Sequence, residues 1–534
     1  MLGVVEFLVL VVSLVVVLFV WSRKRNYARR AALGYVGPPS SFLVGNLDIF
    51  MKEPEHRQKN RLWVNEDLTA KYGNTFGFYI GQNLRIVTQD LDLIQQTFIK
   101  NFSNFIDRTH FVLADDTAIS GMGLVNLRGQ KWKSVRSVIS PVFTTNKLRQ
   151  MSAVINEQDE ILVSRLSQHA DTGKTLDIYD YFQCLTLDVI GRVAFAMNTQ
   201  CQKDPNDPFI HHCKRFFAEA GFEDSFLIKL AIIFPELGPL WTKFRSSTGF
   251  GVHENWLIES LQNVLGKRKQ MMKDFQSVDI LQLLLNQQRD KMVGDLEATL
   301  GDENSADAKP DAAQSPVASR KDLDLSDDAI VANSLTFLLA GYETTSTALG
   351  FTAWLLAKNP DAQARLQQEI AQLVGPDTAQ LTYDHVRKMP YLDAVFRESL
   401  RIYPPVVDFV VRWCVRECQI GQYKFQPGME VAVPVHALHH NPSLWPDPEA
   451  FCPERFIGER SHHPAAWVPF GLGPRNCVGL RFAEMEYKMT LVKMLSKFSL
   501  NLGDDSQDPL RTTTPNVLFR PADEVRVLVE SRQQ

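Results

Sequence analysis

The sequence predicts a mainly α-helical fold with small β-sheets, joined to one N-terminal transmembrane helix. Three observations carry that expectation. Residues Leu2 to Trp21 form an almost unbroken apolar run. Helical apolar patterns with capping residues and proline stops dominate the remainder, and strand-like runs occur only as short segments beside Gly-containing turns.

The apolar run is interrupted only by Glu6 and Ser13, with Gly3 at its start. As a helix it would rise about 30 Å, the thickness of a bilayer core. Arg23, Lys24, Arg25, Arg29 and Arg30 follow it at once, and no Lys or Arg precedes it. The positive-inside rule therefore leaves everything downstream in the cytosol. A cleaved secretory signal would carry its charge before the apolar core and small residues after it, the reverse of this order. Residues 1–22 are read as a transmembrane anchor and 23–45 as a basic linker, in which Gly34, Gly37, Pro38 and Pro39 form a short stiff segment.

One large domain is expected over 46–534. Thr75–Ile80 and Leu84–Thr88 flank Gly81-Gln82-Asn83 and predict a hairpin. From Thr145 to about Leu300 the patterns are helical, with Phe216, Phe217, Phe222, Phe226, Phe234, Phe244 and Phe250 in one stretch. Gly301 to Arg320, rich in Asp, Ala, Ser and Pro, is too polar to offset the entropy of ordering and is expected as a mobile surface loop. Ser326 then caps a helix with Asp327 and Asp328 in its first turn, which runs until Pro360 blocks it. Further helices are expected from Asp361 to Gly375-Pro376 and from Pro390 to Pro404-Pro405. Tyr423–Phe425, Pro427-Gly428 and Met429–Val433 read as strand, turn and strand.

Composition narrows the function. With 45% hydrophobic and 22% charged residues the chain as a whole is not disordered. Lys and Arg total 57 against 61 Asp and Glu, a formal charge of -4, so no global electrostatic case for nucleic acid exists. The seven cysteines are odd in number and follow no framework, which argues for a reducing compartment.

The strongest chemical signal is Phe470-Gly471-Leu472-Gly473-Pro474-Arg475-Asn476-Cys477-Val478-Gly479, followed by a helical run from Leu480. A lone Cys is more often a small buried hydrophobe. Here the sulfur sits where a glycine-bearing turn enters a helix, so backbone N–H groups and the positive end of the helix dipole favour the thiolate. Gln130-Lys131-Trp132-Lys133-Ser134-Val135-Arg136 puts Trp132 and Arg136 on one helical face. Ala340-Gly341-Tyr342-Glu343-Thr344-Thr345 lies inside the long helix, with an alcohol beside a carboxylate. Such a pair can bind water and relay protons, although a mid-helix Thr also commonly back-bonds and bends its helix. Glu398-Ser399-Leu400-Arg401 and Pro453-Glu454-Arg455-Phe456 supply a charge network. His439-His440 and His462-His463 lack the spacing of a metal helix and read as core or solvated residues.

In this order the motifs resemble the cytochrome P-450 superfamily, with the greatest similarity to animal microsomal monooxygenases of family three and its relatives. The likeness runs from Tyr72-Gly73 through 137–144, 391–401 and 437–439 to the cysteine loop, and implies the cytochrome P-450 fold for 46–534. It implies haem b (iron protoporphyrin IX) with Cys477 as the axial thiolate and metal ligand. Phe470 would shield the sulfur, and Gly479 would let the porphyrin lie against the backbone. Trp132 and Arg136 would contact a propionate, with Arg108, Arg412 and Arg475 at other propionate positions. Ala340 and Gly341 would leave room beside the iron, and Glu343 and Thr344 would relay protons.

The resemblance further implies insertion of one oxygen atom from O₂ into a lipophilic substrate, at the endoplasmic reticulum membrane. No P-loop or dinucleotide fingerprint joined to a reductase domain is present, so electrons from NADPH would arrive through a separate NADPH–cytochrome P-450 reductase, with cytochrome b5 as a further donor. Lys131, Lys133 and Lys488 are candidates for that contact. Phe111, Phe337, Val406, Val407 and Phe409 are candidate pocket residues. The alternatives are a haem-thiolate isomerase or dehydratase working without reductase, and a non-catalytic haem-binding protein; the Glu343-Thr344 pair favours the monooxygenase.

Overall fold

The computed structural model describes residues 2–51, 62–109, 119–221, 225–271, 279–301, 325–375, 378–379, 381–459 and 462–532. Of the segment expected as a loop from Gly301 to Arg320, only Gly301 is described, as the last residue of the helix Ile280–Gly301. The pocket candidate Phe111 lies outside the described residues.

The fold is organised around the helix Asp327–Lys358, which at 32 residues spans about 48 Å. Ser326 caps it by accepting the Ala329 N–H at 3.2 Å, and Asp327 and Asp328 sit at the positive end of its dipole. Most of its residues from Ala329 to Ala357 are buried, because neighbouring elements surround it on nearly every face. Helix Ile178–Phe195 approaches most closely. A Cβ added to Gly341 would stand 2.8 Å from the Ile190 side chain, and one on Gly350 would stand 3.1 Å from Tyr179. Glycine at 341 is therefore demanded by helix packing, which corrects the expectation that it makes room for a cofactor.

The hairpin forms as Thr75–Ile80 against Asn83–Thr88. Its second strand pairs in parallel with Glu430–Ala432, which pairs antiparallel with Val411–Trp413, closing a four-stranded sheet. Tyr423–Phe425 does not pair with the strand after Pro427-Gly428; it forms a two-stranded ribbon with Cys418–Ile420. Strands Leu176–Asp177, Arg526–Ser531 and Phe498–Asn501 make a third sheet.

The N-terminal helix runs from Leu2 to Ala32, with an eighteen-residue window of mean hydropathy 3.0 and no part of that window buried. Helix does not stop at residue 22: the basic segment expected as linker is helical to Ala32 and packs on the body. Arg23 is buried, donates to the Ile233 carbonyl at 2.9 Å and pairs with Glu236 at 3.1 Å. Tyr27 meets Tyr79 edge to face, and Arg29 donates to Gln426 at 2.6 Å. The stiff segment is confined to residues after Ala32, where Gly37 lies against Gly77 so closely that a Cβ could not fit.

Candidate active site

The cysteine loop is shaped by two left-handed glycines. Gly471 and Gly473 both have φ of +72°, and a Cβ on Gly473 would stand 2.0 Å from the Phe98 carbonyl oxygen. The Cys477 N–H donates to the Phe470 carbonyl at 2.9 Å, which folds the loop back on itself. Helix Leu480–Lys497 begins three residues later, with Gly479 at its N-cap. Burial pushes the Cys477 thiol up, while the Gly479 N–H bonded to its sulfur and the Arg136 and Arg108 guanidinium groups pull it down. Burial wins, so ionisation of this sulfur calls for a metal ion to displace its proton. Cys477 is solvent-accessible although burial among protein atoms dominates its thiol, the combination expected of a sulfur that lines an internal hollow. Phe470 is half-buried with its ring 6.1 Å from Phe396, and Gly479 has nothing closer to a built Cβ than Phe143 at 3.9 Å.

Four arginines converge beside the loop. Arg136 holds Asn476 through its carbonyl at 2.7 Å and its Oδ1 at 2.8 Å. Arg108 donates to the Arg475 carbonyl at 2.9 Å, and Arg412 to the Leu472 carbonyl at 3.0 Å. Arg475 donates to the Leu127 carbonyl at 2.6 Å and lies 3.4 Å from Asp107, with its guanidinium 4.3 Å from the Trp132 ring centroid. Burial first, and then mutual repulsion, holds Arg412 well below its ordinary value, Arg108 at about 10 and Arg475 at about 9. Arg108 Nε, Arg412 Nε and both Nε and Nη1 of Arg475 are buried with no hydrogen-bond partner among the described residues. Uncompensated buried cations are costly unless an anion meets them. Beside a cysteine sulfur, this donor set fits haem b, whose two propionates supply the missing acceptors.

On the long helix, Thr336, Ala340 and Thr344 are accessible at i, i+4 and i+8, along one stripe. Ala340 is the most open of these. Phe143 links this stripe to the cysteine loop, its ring 6.3 Å from Phe337 and 6.4 Å from Phe482. Thr344 Oγ1 donates to the Ala340 carbonyl at 2.8 Å, the back-bonded arrangement.

Glu343 requires a correction. Its side chain is fully buried on another face of the helix, where Tyr179 Oη donates to it at 2.7 Å, Gln183 Nε2 at 3.2 Å and Arg520 Nη1 at 3.4 Å. An acid so engaged does not share the open stripe with Thr344. Successive helical residues diverge by about 100°, and the partners on helix Ile178–Phe195 and near the C-terminus decide which way it turns.

Below the loop, Glu398 and Arg401 pair at 2.8 Å with both side chains fully buried, and Arg455 adds a second contact to Glu398 at 2.9 Å. Arg401 also donates to the His439 carbonyl at 2.9 Å. His439 is a core residue that accepts the Val468 N–H at 3.0 Å, and burial lowers it to about 3. Lys488, expected at a partner surface, is instead buried between Asp393 at 2.7 Å and Glu484 at 2.6 Å; Lys131 and Lys133 are exposed. Phe337 and Val407 are core, Val406 is half-buried, and Phe409 lies under the Arg108 guanidinium at 4.2 Å. Asp107, Tyr179, Gln183 and Arg520 were missed in the sequence. No local pattern marks them, since each meets its partner across the chain.

A cysteine loop at a helix start, a cluster of buried arginines wanting acid partners and an interior helix open at Ala340 and Thr344 define a haem-thiolate protein. The family described as cytochrome P-450 matches residues 37–529. The chain is 33% identical over 534 residues to cytochrome P-450 3A5 of Homo sapiens, covering 99% of this chain and 97% of that protein. It is 34% identical over 487 residues to cytochrome P-450 3A29 of Sus scrofa, covering 90% and 88%. It is 31% identical over 524 residues to thromboxane-A synthase of Macaca fascicularis, covering 96% and 95%. The chain belongs to the cytochrome P-450 family. It is a haem-thiolate monooxygenase that binds haem b and works with a redox partner on a small-molecule substrate.

Proposed function

We propose that this protein is anchored in the endoplasmic reticulum membrane by its N-terminal helix, faces the cytosol, and oxidises lipophilic substrates with electrons from NADPH. A separate NADPH–cytochrome P-450 reductase delivers them, with cytochrome b5 as a further donor. The observation that carries the reading is the accessible Cys477 beside buried guanidinium nitrogens that have no hydrogen-bond partner among the described residues.

Haem b held there supplies redox chemistry that activates O₂. Cys477 would ligate its iron, the loop being held by the Cys477 N–H on the Phe470 carbonyl and the sulfur by the Gly479 N–H. Arg108, Arg136, Arg412 and Arg475 would hold the propionates, and Trp132 packs against Arg475. Phe470 limits water at the sulfur and Gly479 leaves the backbone approachable. Ala340 would leave space beside the bound group, and the Thr344 hydroxyl would hold a water that passes protons inward. Glu343 fixes the roll of the long helix through Tyr179, Gln183 and Arg520, so that Thr344 presents its hydroxyl to the hollow. The apolar side chains of Val406 and Phe409 favour a substrate with few polar anchors.

The thromboxane-A synthase relatives favour a second reading, rearrangement of a substrate peroxide without reductase. The carbon-monoxide difference spectrum of the reduced protein tests the ligand: Cys477→Ser should lose the thiolate-type band, and an unchanged band would sink the proposal. Turnover that requires NADPH and reductase, on lipophiles selected by their spin-state shift, separates oxygenation from rearrangement.

A further inference from the structure

Helices Pro208–Glu219 and Gly249–Met271 bring together imidazoles that the oxidation chemistry does not use. His212 Nδ1 and His253 Nδ1 are 3.0 Å apart, one from each helix. The His212 ring lies flat on Trp256, with centroids 4.0 Å apart and planes within 3°, which fixes its orientation. Behind His253, its Nε2 stands 3.6 Å from Glu219 Oε1, and Glu219 is itself steadied by Arg215 at 3.5 Å. His211 stands at the exposed edge, its centroid 5.3 Å from His212 and 6.0 Å from His253.

We propose that His212 and His253 form a two-imidazole clip that binds one borderline transition cation of the Zn²⁺ class and thereby ties the two helices together. Imidazole nitrogens bind Zn²⁺ at about 2.0–2.1 Å, so two ligands of one tetrahedral ion stand about 3.4 Å apart. The observed separation needs an opening of only a few tenths of an ångström. A carboxylate that accepts from the far nitrogen of a ligating histidine fixes its tautomer and raises its basicity, and Glu219, 3.6 Å from His253 Nε2, stands just outside hydrogen-bond reach of that position. Among the described residues no three His, Cys, Asp or Glu side chains converge as a metal cluster, so the ion keeps water in its remaining positions. Phe217, on the same helix as His212, stands 6.1 Å from Tyr342 on the long helix.

The test is Zn²⁺ titration of the haem-loaded enzyme by calorimetry, in parallel with thermal unfolding. Wild type should bind one Zn²⁺ and melt higher with it. His212→Gln and His253→Gln should each weaken binding more than roughly tenfold and lose the thermal gain, and Glu219→Gln should weaken it roughly tenfold. His436→Gln should leave both unchanged; it alters a stacked imidazole pair elsewhere in the fold, His436 and His440, 4.0 Å apart. An intact reduced carbon-monoxide spectrum shows that each variant is folded. Wild-type affinity no tighter than millimolar, equal affinity in the His212 and His253 variants, or binding without a thermal shift would each overturn the clip.

Discussion

Arg412 is the most exacting of the site residues, because nothing on its own strand neutralises it. Burial and three neighbouring guanidinium groups hold it well below its ordinary value, and its Nε has no partner among the described residues. Replacing such a group by an apolar side chain of similar length relieves repulsion in the protein without haem and removes an acceptor's partner in the protein with it. Arg412→Met is therefore expected to melt no lower as apoprotein yet lose haem to a scavenger ten- to a hundred-fold faster, roughly the strength of one charge-assisted hydrogen bond. The two halves of the former acid–alcohol pair also separate. Thr344→Ala should divert electrons to hydrogen peroxide, whereas Glu343→Gln should keep coupling within about twofold and lower stability by about 1–3 kcal/mol, because a buried charge partner of Arg520 is lost. Peroxide yield per NADPH and melting temperature measure both; full coupling in Thr344→Ala would contradict the first. Cys477 was legible because its loop is local in sequence. The placement of Glu343 was not, because its partners Tyr179, Gln183 and Arg520 lie 164, 160 and 177 residues away.

At the level of elements, the helix that follows the cysteine loop carries an acid dyad that no mechanism uses. Glu486 on helix Leu480–Lys497 and Asp159 on helix Thr145–Ser167 are both fully buried. Neither oxygen of Glu486 has a partner among the described residues, and Asp159 is bonded only through Oδ1, to Thr490 at 2.8 Å. Burial pushes Asp159 up to about 8 against the pull of Thr490 and Lys493, and pushes Glu486 well above the carboxylate range, with Asp159 adding to it. A carboxyl raised in the folded state keeps a proton that the unfolded chain has released above about pH 4, so stability falls as pH rises from there to about 8 and then levels. Asp159→Asn, which keeps the Thr490 bond, should remove Asp159's share of that slope and melt higher than wild type near pH 8 while differing little near pH 4. A parallel pair of melting curves would argue against a protonated Asp159. Capped helices such as Asp327–Lys358 were legible from Ser326 and Pro360, since caps are local. The pairing of Glu430–Ala432 with Asn83–Thr88 was not, since a Pro-Gly turn marks a reversal but not the strand that receives it.

For the whole molecule, the sequence separates an apolar span from a soluble body, and the structure shows that the two are not joined by a slack tether. The helix continues past the apolar residues, and its basic end is built into the catalytic unit: Arg23 pairs with Glu236, Asn26 donates to the Gln82 carbonyl at 2.8 Å, and Arg29 reaches Gln426. Hydropathy marked the span because twenty similar residues suffice to show it. It could not mark the docking, because Arg23 reads as a membrane-flanking charge until the segment around Ile233 and Glu236 is folded against it. A charge fixed in this way couples the tilt of the span to the body, so truncation at two points should give different outcomes. Removing residues 2–21 deletes apolar surface that touches little of the body and should move the protein from membrane pellet to supernatant with its haem spectrum and melting temperature nearly unchanged. Removing residues 2–32 also deletes Arg23, Asn26, Tyr27 and Arg29, leaves Glu236 unpaired and Tyr79 uncovered, and should lower stability by several kcal/mol, a few hydrogen bonds and one aromatic contact in size. Equal melting temperatures for the two truncations would mean that the basic turn only borders the membrane and does not brace the fold.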